Sequence, residues 1–264
     1  MKKLIYQVYV GKRSRLYDWC TASVKEYADR IGADYICQST PKMFIKPDLF
    51  ATNRSRESYE KHGGFLPIYE KENAFAYFDE YDQIAIVDGD IYIRPDAPDL
   101  FKELPEEYDF GGCVEANMPM TPEYQRKIHQ YSQMQYHNLK IDWKLSPITG
   151  FPFMNMGLMV MNKSFAKYLK GQTPKQFIER AEFKNFVDGQ GAWKWSTDQT
   201  LLNYWIRKEK MNIKELDWRF NALYTACTDL NEAYFVHFFL KDKLPNQGEN
   251  VEQLKQDIGV WYNV

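Results

Sequence analysis

QIAIVDGD, residues 83 to 90, is the stretch on which the fold turns. Its first five residues form a nearly continuous apolar run of strand length, the pattern of a strand covered on both faces of a parallel sheet. The run stops at two carboxylates, Asp88 and Asp90, with Gly89 between them. In open α/β sheets, ligands bind beyond the carboxyl ends of the strands. A glycine there lets the backbone turn and a ligand approach closely. Paired hard oxygen ligands suit Mg²⁺ or Mn²⁺, which take one or two protein carboxylates and complete their shell with phosphate oxygens and water. A solvated turn is the plain alternative. It leaves the repulsion between the neighbouring carboxylates unopposed, and a cation offsets that repulsion.

Strand and helix signals alternate on both sides of this stretch. Residues 4–10 are β-rich and stop at Gly11, giving a first strand followed by the basic turn Lys12, Arg13 and Arg15. Leu16, Cys20, Val24, Tyr27 and Ile31 recur at helical spacing, and Gly32 closes that helix. Residues 34–38 read as a second strand. Residues 39–64, broken by Pro41, Pro47 and Gly63-Gly64, read as a long irregular loop of a length that tends to be functional. An amphipathic helix is predicted over 66–78, and short strands over 91–93 and 110–114. A polar helix follows over 121–140 and a strand over 153–161. Two helices come next, the second opening at Ser196. A last strand covers 235–239, and a terminal helix runs from Val251 onward. The alternation through about residue 115 predicts an α/β fold with a mixed, mainly parallel, Rossmann-like sheet flanked by helices. No repeat or linker interrupts it.

A chain of 264 residues suffices for one sizeable core, so a single domain over 1–264 is expected. The 34 basic residues against 36 acidic ones give a net charge of −2, which offers no global attraction for nucleic acid. Cys20, Cys37, Cys113 and Cys227 include no C-x-x-C pair, so zinc and thioredoxin-like readings fail. Free thiols of a cytoplasmic protein are expected instead. The apolar N-terminal run is interrupted by Gln7 and followed by no small-residue cleavage site, which argues for a strand over a signal peptide. No stretch approaches the roughly 18 apolar residues of a membrane helix.

Several segments, in order, resemble one family. Lys71-Glu72-Asn73-Ala74, then Tyr81-Asp82 through Asp88-Gly89-Asp90, then Pro98-Asp99-Leu100-Phe101, is similar to the nucleotide-sugar core of GT-A fold glycosyltransferases. The pattern is most like the retaining galactosyl- and glucosyltransferases of family eight, the glycogenin-like group. Met154 to Asn162 resembles the family's N-x-G strand, Thr197-Asp198-Gln199 its acidic D-Q helix start, and His237 with Lys243 its C-terminal H-x-x-G-x-x-K-P element. Two departures stand out in that last element: Leu240 replaces the glycine, and Pro245 comes one place late.

The resemblance implies transfer of a sugar from a nucleotide diphosphate sugar, a UDP-sugar by family habit, to a glycan or other hydroxyl acceptor. Mn²⁺ or Mg²⁺ is the implied cofactor, with Asp88, Asp90 and His237 as ligands. Val8, Tyr9, Lys71, Asp88, Gly89, Asn155, Gly157 and Lys243 are the implied donor contacts, and Asp198 and Gln199 the catalytic pair. Residues 1–115 would then bind the nucleotide sugar, and 116–264 would supply acceptor contacts and close the site.

The residues themselves leave rival readings open. His237 lies in an apolar run, where a core histidine is common; an imidazole ligand would tilt the site towards Mn²⁺. Asp198 suits a helix start capped by Ser196, with Gln199 closing a capping box. Gly157 suits a strand irregularity. Trp193, Trp195 and Trp218 are candidates for an acceptor platform or for core. Two further functions share the D-x-D. A haloacid-dehalogenase-type phosphatase places it at the first strand's end, and a non-catalytic nucleotide- or carbohydrate-binding module could carry it on the same fold.

Overall fold

The computed structural model describes residues 1–50, 53–143 and 145–260. Residues 51 and 52, inside the expected loop, and 261–264, at the end of the expected terminal helix, lie outside the described residues, as does residue 144. In chain order the strands and helices are β1 (Lys3–Val8), α1 (Arg15–Ile31), β2 (Asp34–Gln38), α2 (Asn53–His62), β3 (Gln83–Val87), β4 (Ile91–Ile93), β5 (Phe110–Val114) and α3 (Pro122–Tyr136). They continue with β6 (Met154–Asn162), α4 (Pro174–Ile178), α5 (Lys184–Asp188), α6 (Asp198–Lys208), β7 (Ile213–Glu215), β8 (Ala222–Leu223), β9 (Phe235–His237) and α7 (Val251–Asp257).

Six strands form the main sheet in the order β2-β1-β3-β6-β5-β7. β1 pairs parallel with β2 and β3, and β5 parallel with β7, while β6 runs antiparallel between β3 and β5. β3 is central and all five of its residues are buried, as its apolar run demands. Alternation splits the core into two layers. Ile5, Ala85, Val87, Leu158 and Val160 pack with α1 on one face; Leu4, Tyr6, Ile84, Ile86, Met159 and Met161 pack with α6 on the other. Gly32 closes α1 as predicted: at φ 67° it takes the left-handed conformation and sends its N–H to the carbonyls of Ala28 and Asp29. A second sheet of three strands, β4-β9-β8, stands beyond the end of β3. Among the described residues, no helix is long and apolar enough to cross a membrane.

Four expectations change. The helix over 66–78 is a 3₁₀ coil, Pro67–Tyr77, with residues 69–75 all buried. A segment enclosed on every side has no single wet face to organise an α-helix. The 39–64 loop contains α2, and its first part is held by the Glu70 carboxylate, which accepts from the backbone N–H groups of Lys42, Met43 and Phe44 at 2.7–3.2 Å. Three α-helices, not two, separate β6 from β7. The helix expected to open at Ser196 starts one place later. Thr197 is the extended N-cap and its Oγ1 accepts from Gln199 N–H, so Asp198 is the first helical residue and no capping box forms.

Candidate metal centre and donor cleft

Strand pairing assembles the site. Beyond β3, the Asp88 N–H donates to the Gly157 carbonyl at 2.8 Å, which locks the first aspartate against β6. The turn then enters β4, whose Ile91 lies opposite His237 in β9, while Phe238 N–H donates to the Asp90 carbonyl at 2.9 Å. The register of that small sheet therefore brings His237 to the D-x-D. Its Nε2 lies 3.3 Å from Asp90 Oδ1 and 3.9 Å from Asp88 Oδ2. One ligand atom from each of the three residues falls within 4.8 Å of the other two. Bonds of about 2.0–2.2 Å to a small divalent cation span such a cluster, and two carboxylates with an imidazole make a suitable donor set for Mn²⁺ or Mg²⁺.

The electrostatics converge on the same point. Lys71 is buried and its Nζ is shared among Asp88 Oδ1 at 2.8 Å, Asp198 Oδ2 at 2.9 Å and the Met156 carbonyl at 2.8 Å. Burial disfavours its charge, but Asp198 and Asp88 outweigh that and keep it protonated. Burial pushes Asp88 up to about 6, against the pull of Lys71 and His237. Burial acts the same way on Asp90, where His237 wins and holds the carboxyl below its usual range. His237 is raised despite its burial, because Asp90 and Asp88 face it. The carboxylate field that retains a proton on the imidazole would hold a cation in its place. Nearby Glu72 is fully buried, and neither carboxylate oxygen has a hydrogen-bond partner from another residue among those described.

A cleft of about 250 Å³ opens beside these groups, lined by Val8, Tyr9, Tyr17, Lys71, Asp88 and Asp90 among others. Val8, Tyr9, Lys71, Gly89 and both aspartates are thus brought together as the sequence implied. Gly89 has a further reason to be glycine. A Cβ there would lie 2.9 Å from the Val8 carbonyl and 3.2 Å from the Tyr17 ring, so the close approach is the protein's own. Asp198 sits behind Lys71 with its side chain 3% exposed, and Gln199 Oε1 accepts from Met156 N–H at 3.2 Å.

Other candidates stand elsewhere. Asn155 is buried and its side chain is hydrogen-bonded to Glu115, Gly157 and Asn221. Lys243 is exposed and does not line the cleft; Lys241 lines a neighbouring cavity with Lys12 and Arg13. Leu240 adopts φ 60°, the left-handed conformation its glycine counterpart would take freely. Trp193 packs on Phe186 and Trp218 against the core, whereas Trp195 is 59% exposed beside a second cavity. Asn221, Glu115 and Tyr17 were missed. Glu115 carried a signal, since it follows β5 as Asp88 follows β3, and burial raises it to about 7.

The fold is the GT-A fold. The chain superposes on a solved glycosyltransferase involved in glycosylating the major capsid of PBCV-1, with a TM-score of 0.55 at 13% identity over 96% of this chain and 100% of that one. It superposes likewise on an active-site mutant of LgtC, with a TM-score of 0.53 at 12% identity over 99% and 97% of the two chains. A third match is the galactosyltransferase LgtC in complex with donor and acceptor sugar analogs, with a TM-score of 0.51 at 12% identity and the same coverage. No family model matches the chain, and no curated protein sequence does.

Proposed function

We propose that the chain is a metal-dependent glycosyltransferase that moves a hexosyl group from a nucleotide diphosphate sugar, a UDP-sugar, to an acceptor hydroxyl with retention of configuration. The observation that carries this reading is the Asp88–Asp90–His237 cluster at the carboxyl end of β3, in a GT-A fold and beside an open cleft. Asp88, Asp90 and His237 would hold Mn²⁺, which would supply positive charge against the charge developing on the leaving diphosphate. Val8 and Tyr9 border the nucleotide, and Lys71 adds a buried positive charge at the diphosphate end of the cleft. Asp198 acts through Lys71, which it fixes, and Gln199 holds the β6 backbone at Met156. With Asp198 buried against Lys71, no protein base faces the cleft from that helix. That arrangement favours retention, in which the leaving diphosphate itself takes the acceptor proton. Residues 1–115 grip the donor, and 116–264 supply the acceptor side and His237.

The test is a screen of nucleotide sugars for release of nucleoside diphosphate, with and without Mn²⁺. Release should require the metal and vanish in Asp88→Ala or Asp90→Ala. Full turnover in excess chelator, or no turnover with any donor, overturns the proposal.

A further inference from the structure

Three buried polar side chains, Glu115, Asn155 and Asn221, lead from β5 to the imidazole, and their polarity is fixed by one backbone group. The Gly157 N–H can only donate, and it donates to Asn155 Oδ1 at 3.0 Å. The Asn155 amide is therefore oriented with Nδ2 towards Glu115, whose Oε1 accepts at 2.7 Å. Asn155 Oδ1 accepts again from Asn221 Nδ2 at 3.0 Å, and the Asn155 carbonyl lies 3.3 Å from the same nitrogen. Facing two acceptors, Asn221 must present its NH₂ there and its Oδ1 on the other side. That oxygen lies 3.1 Å from His237 Nδ1. An acceptor at Nδ1 holds a proton there and makes Nε2, the nitrogen that faces Asp88 and Asp90, the one available to a cation.

Space is arranged for the same ring. A Cβ on residue 157 would lie 2.3 Å from His237 Cε1 and 2.6 Å from Nδ1, so only glycine admits the imidazole in this position. Asn221 itself is placed by β8, where Leu223 pairs with His237.

We propose that Asn155, Gly157 and Asn221, with Glu115 behind them, are positioning residues that fix His237 as the Nδ1–H tautomer and aim Nε2 at the cation. This rests on the metal-binding reading above. It gives the N-x-G segment a different task from the donor contact that the sequence implied. Asn155 and Gly157 serve the histidine. Hydrogen-bond partners of this kind behind a ligating histidine typically change metal affinity by about 10–100-fold when removed.

Two measurements test it. In the wild-type chain with Mg²⁺ and UDP, nitrogen-15 NMR of the imidazole should show the proton on Nδ1. Mn²⁺ titration in the presence of UDP, followed by electron paramagnetic resonance, should show affinity reduced about tenfold or more in Asn221→Ala. Glu115→Gln keeps an acceptor oxygen for Asn155 Nδ2 and so keeps the polarity of the chain; it should retain most of the affinity, whereas a purely structural role would weaken both variants alike. An Nε2–H tautomer, or equal affinities in the two variants, overturns the inference while leaving the metal site standing. Failure of the wild-type chain to bind Mn²⁺ at all overturns the metal reading and this inference with it. The wild-type spectrum decides the tautomer even if neither variant folds.

Discussion

Asp198→Asn probes the core of the site, because it removes one of three partners of a buried ammonium. Lys71 Nζ lies 2.9 Å from Asp198 and 2.8 Å from Asp88, with side chains 9%, 3% and 29% exposed respectively. Breaking a buried pair costs about 3–5 kcal/mol when it leaves a charge uncompensated. Here Lys71 keeps Asp88 and the Met156 carbonyl, so its charge stays compensated and the loss falls to that of one charged contact, about 1.5–3 kcal/mol. At roughly 2–4 °C per kcal/mol for a chain of this size, the melting temperature should fall by about 3–12 °C. A carboxylate acting only on the helix dipole is worth about 0.3–1 kcal/mol, which sets the competing outcome. A second effect separates the readings further. Without Asp198, Lys71 bears on Asp88 alone and competes with the cation, so Mn²⁺ affinity should drop by about tenfold, or roughly 1.4 kcal/mol. Thermal unfolding followed by circular dichroism, with Mn²⁺ titration on the same preparation, measures both. A fall below about 3 °C with unchanged Mn²⁺ affinity refutes the argument.

Two further predictions concern carboxyls outside the cation's reach. Asp109 is 6% exposed and accepts from Ser164, Lys167, Tyr168 and the Asn212 N–H at 2.6–3.0 Å. Burial alone would raise it, but these donors hold it at about 2. A depressed acid stabilises the fold above its ordinary value and loses that contribution as pH falls towards 2. Asp109→Asn should therefore cost roughly 2 kcal/mol at neutral pH and flatten the loss of stability between about pH 4 and pH 2; superimposable pH profiles refute this. Burial and then the Asp198 charge hold Glu72 well above the usual carboxylate range, so it opposes folding at neutral pH and less so as pH falls. Glu72→Leu should stabilise the chain by about 1–3 kcal/mol, and a lower melting temperature in that variant refutes the account.

The centre of the fold was legible because β3 is covered on both faces, and such a strand needs an unbroken apolar run that five residues suffice to reveal. Asp88 and Asp90 were legible for the same reason, since a strand that stops at paired charges marks its own carboxyl end. The Lys71 coil was misread because its apolar residues suggest a one-faced helix, while in the fold residues 69–75 are all buried and leave no wet face to hold an α-helix. Asn221 was invisible because its meaning depends on the register of β8 against β9 and on an amide orientation fixed by another strand. The cap of α6 slipped by one place because serine and threonine stand side by side there, and in isolation serine is the better cap of the two.

The cation cluster draws its parts from two sheets made at different times. Asp88 terminates β3 in the main sheet, while His237 belongs to β9 in the small one, close to the end of the chain. During synthesis the donor cleft between β1 and β3 has its walls long before the ribosome delivers the third ligand. Chains emerge N-terminus first and tend to fold as they do so. A nascent product therefore has the walls of the cleft before Asp88, Asp90 and His237 can be brought together. On the function proposed above, metal loading therefore waits until β9 has joined β4.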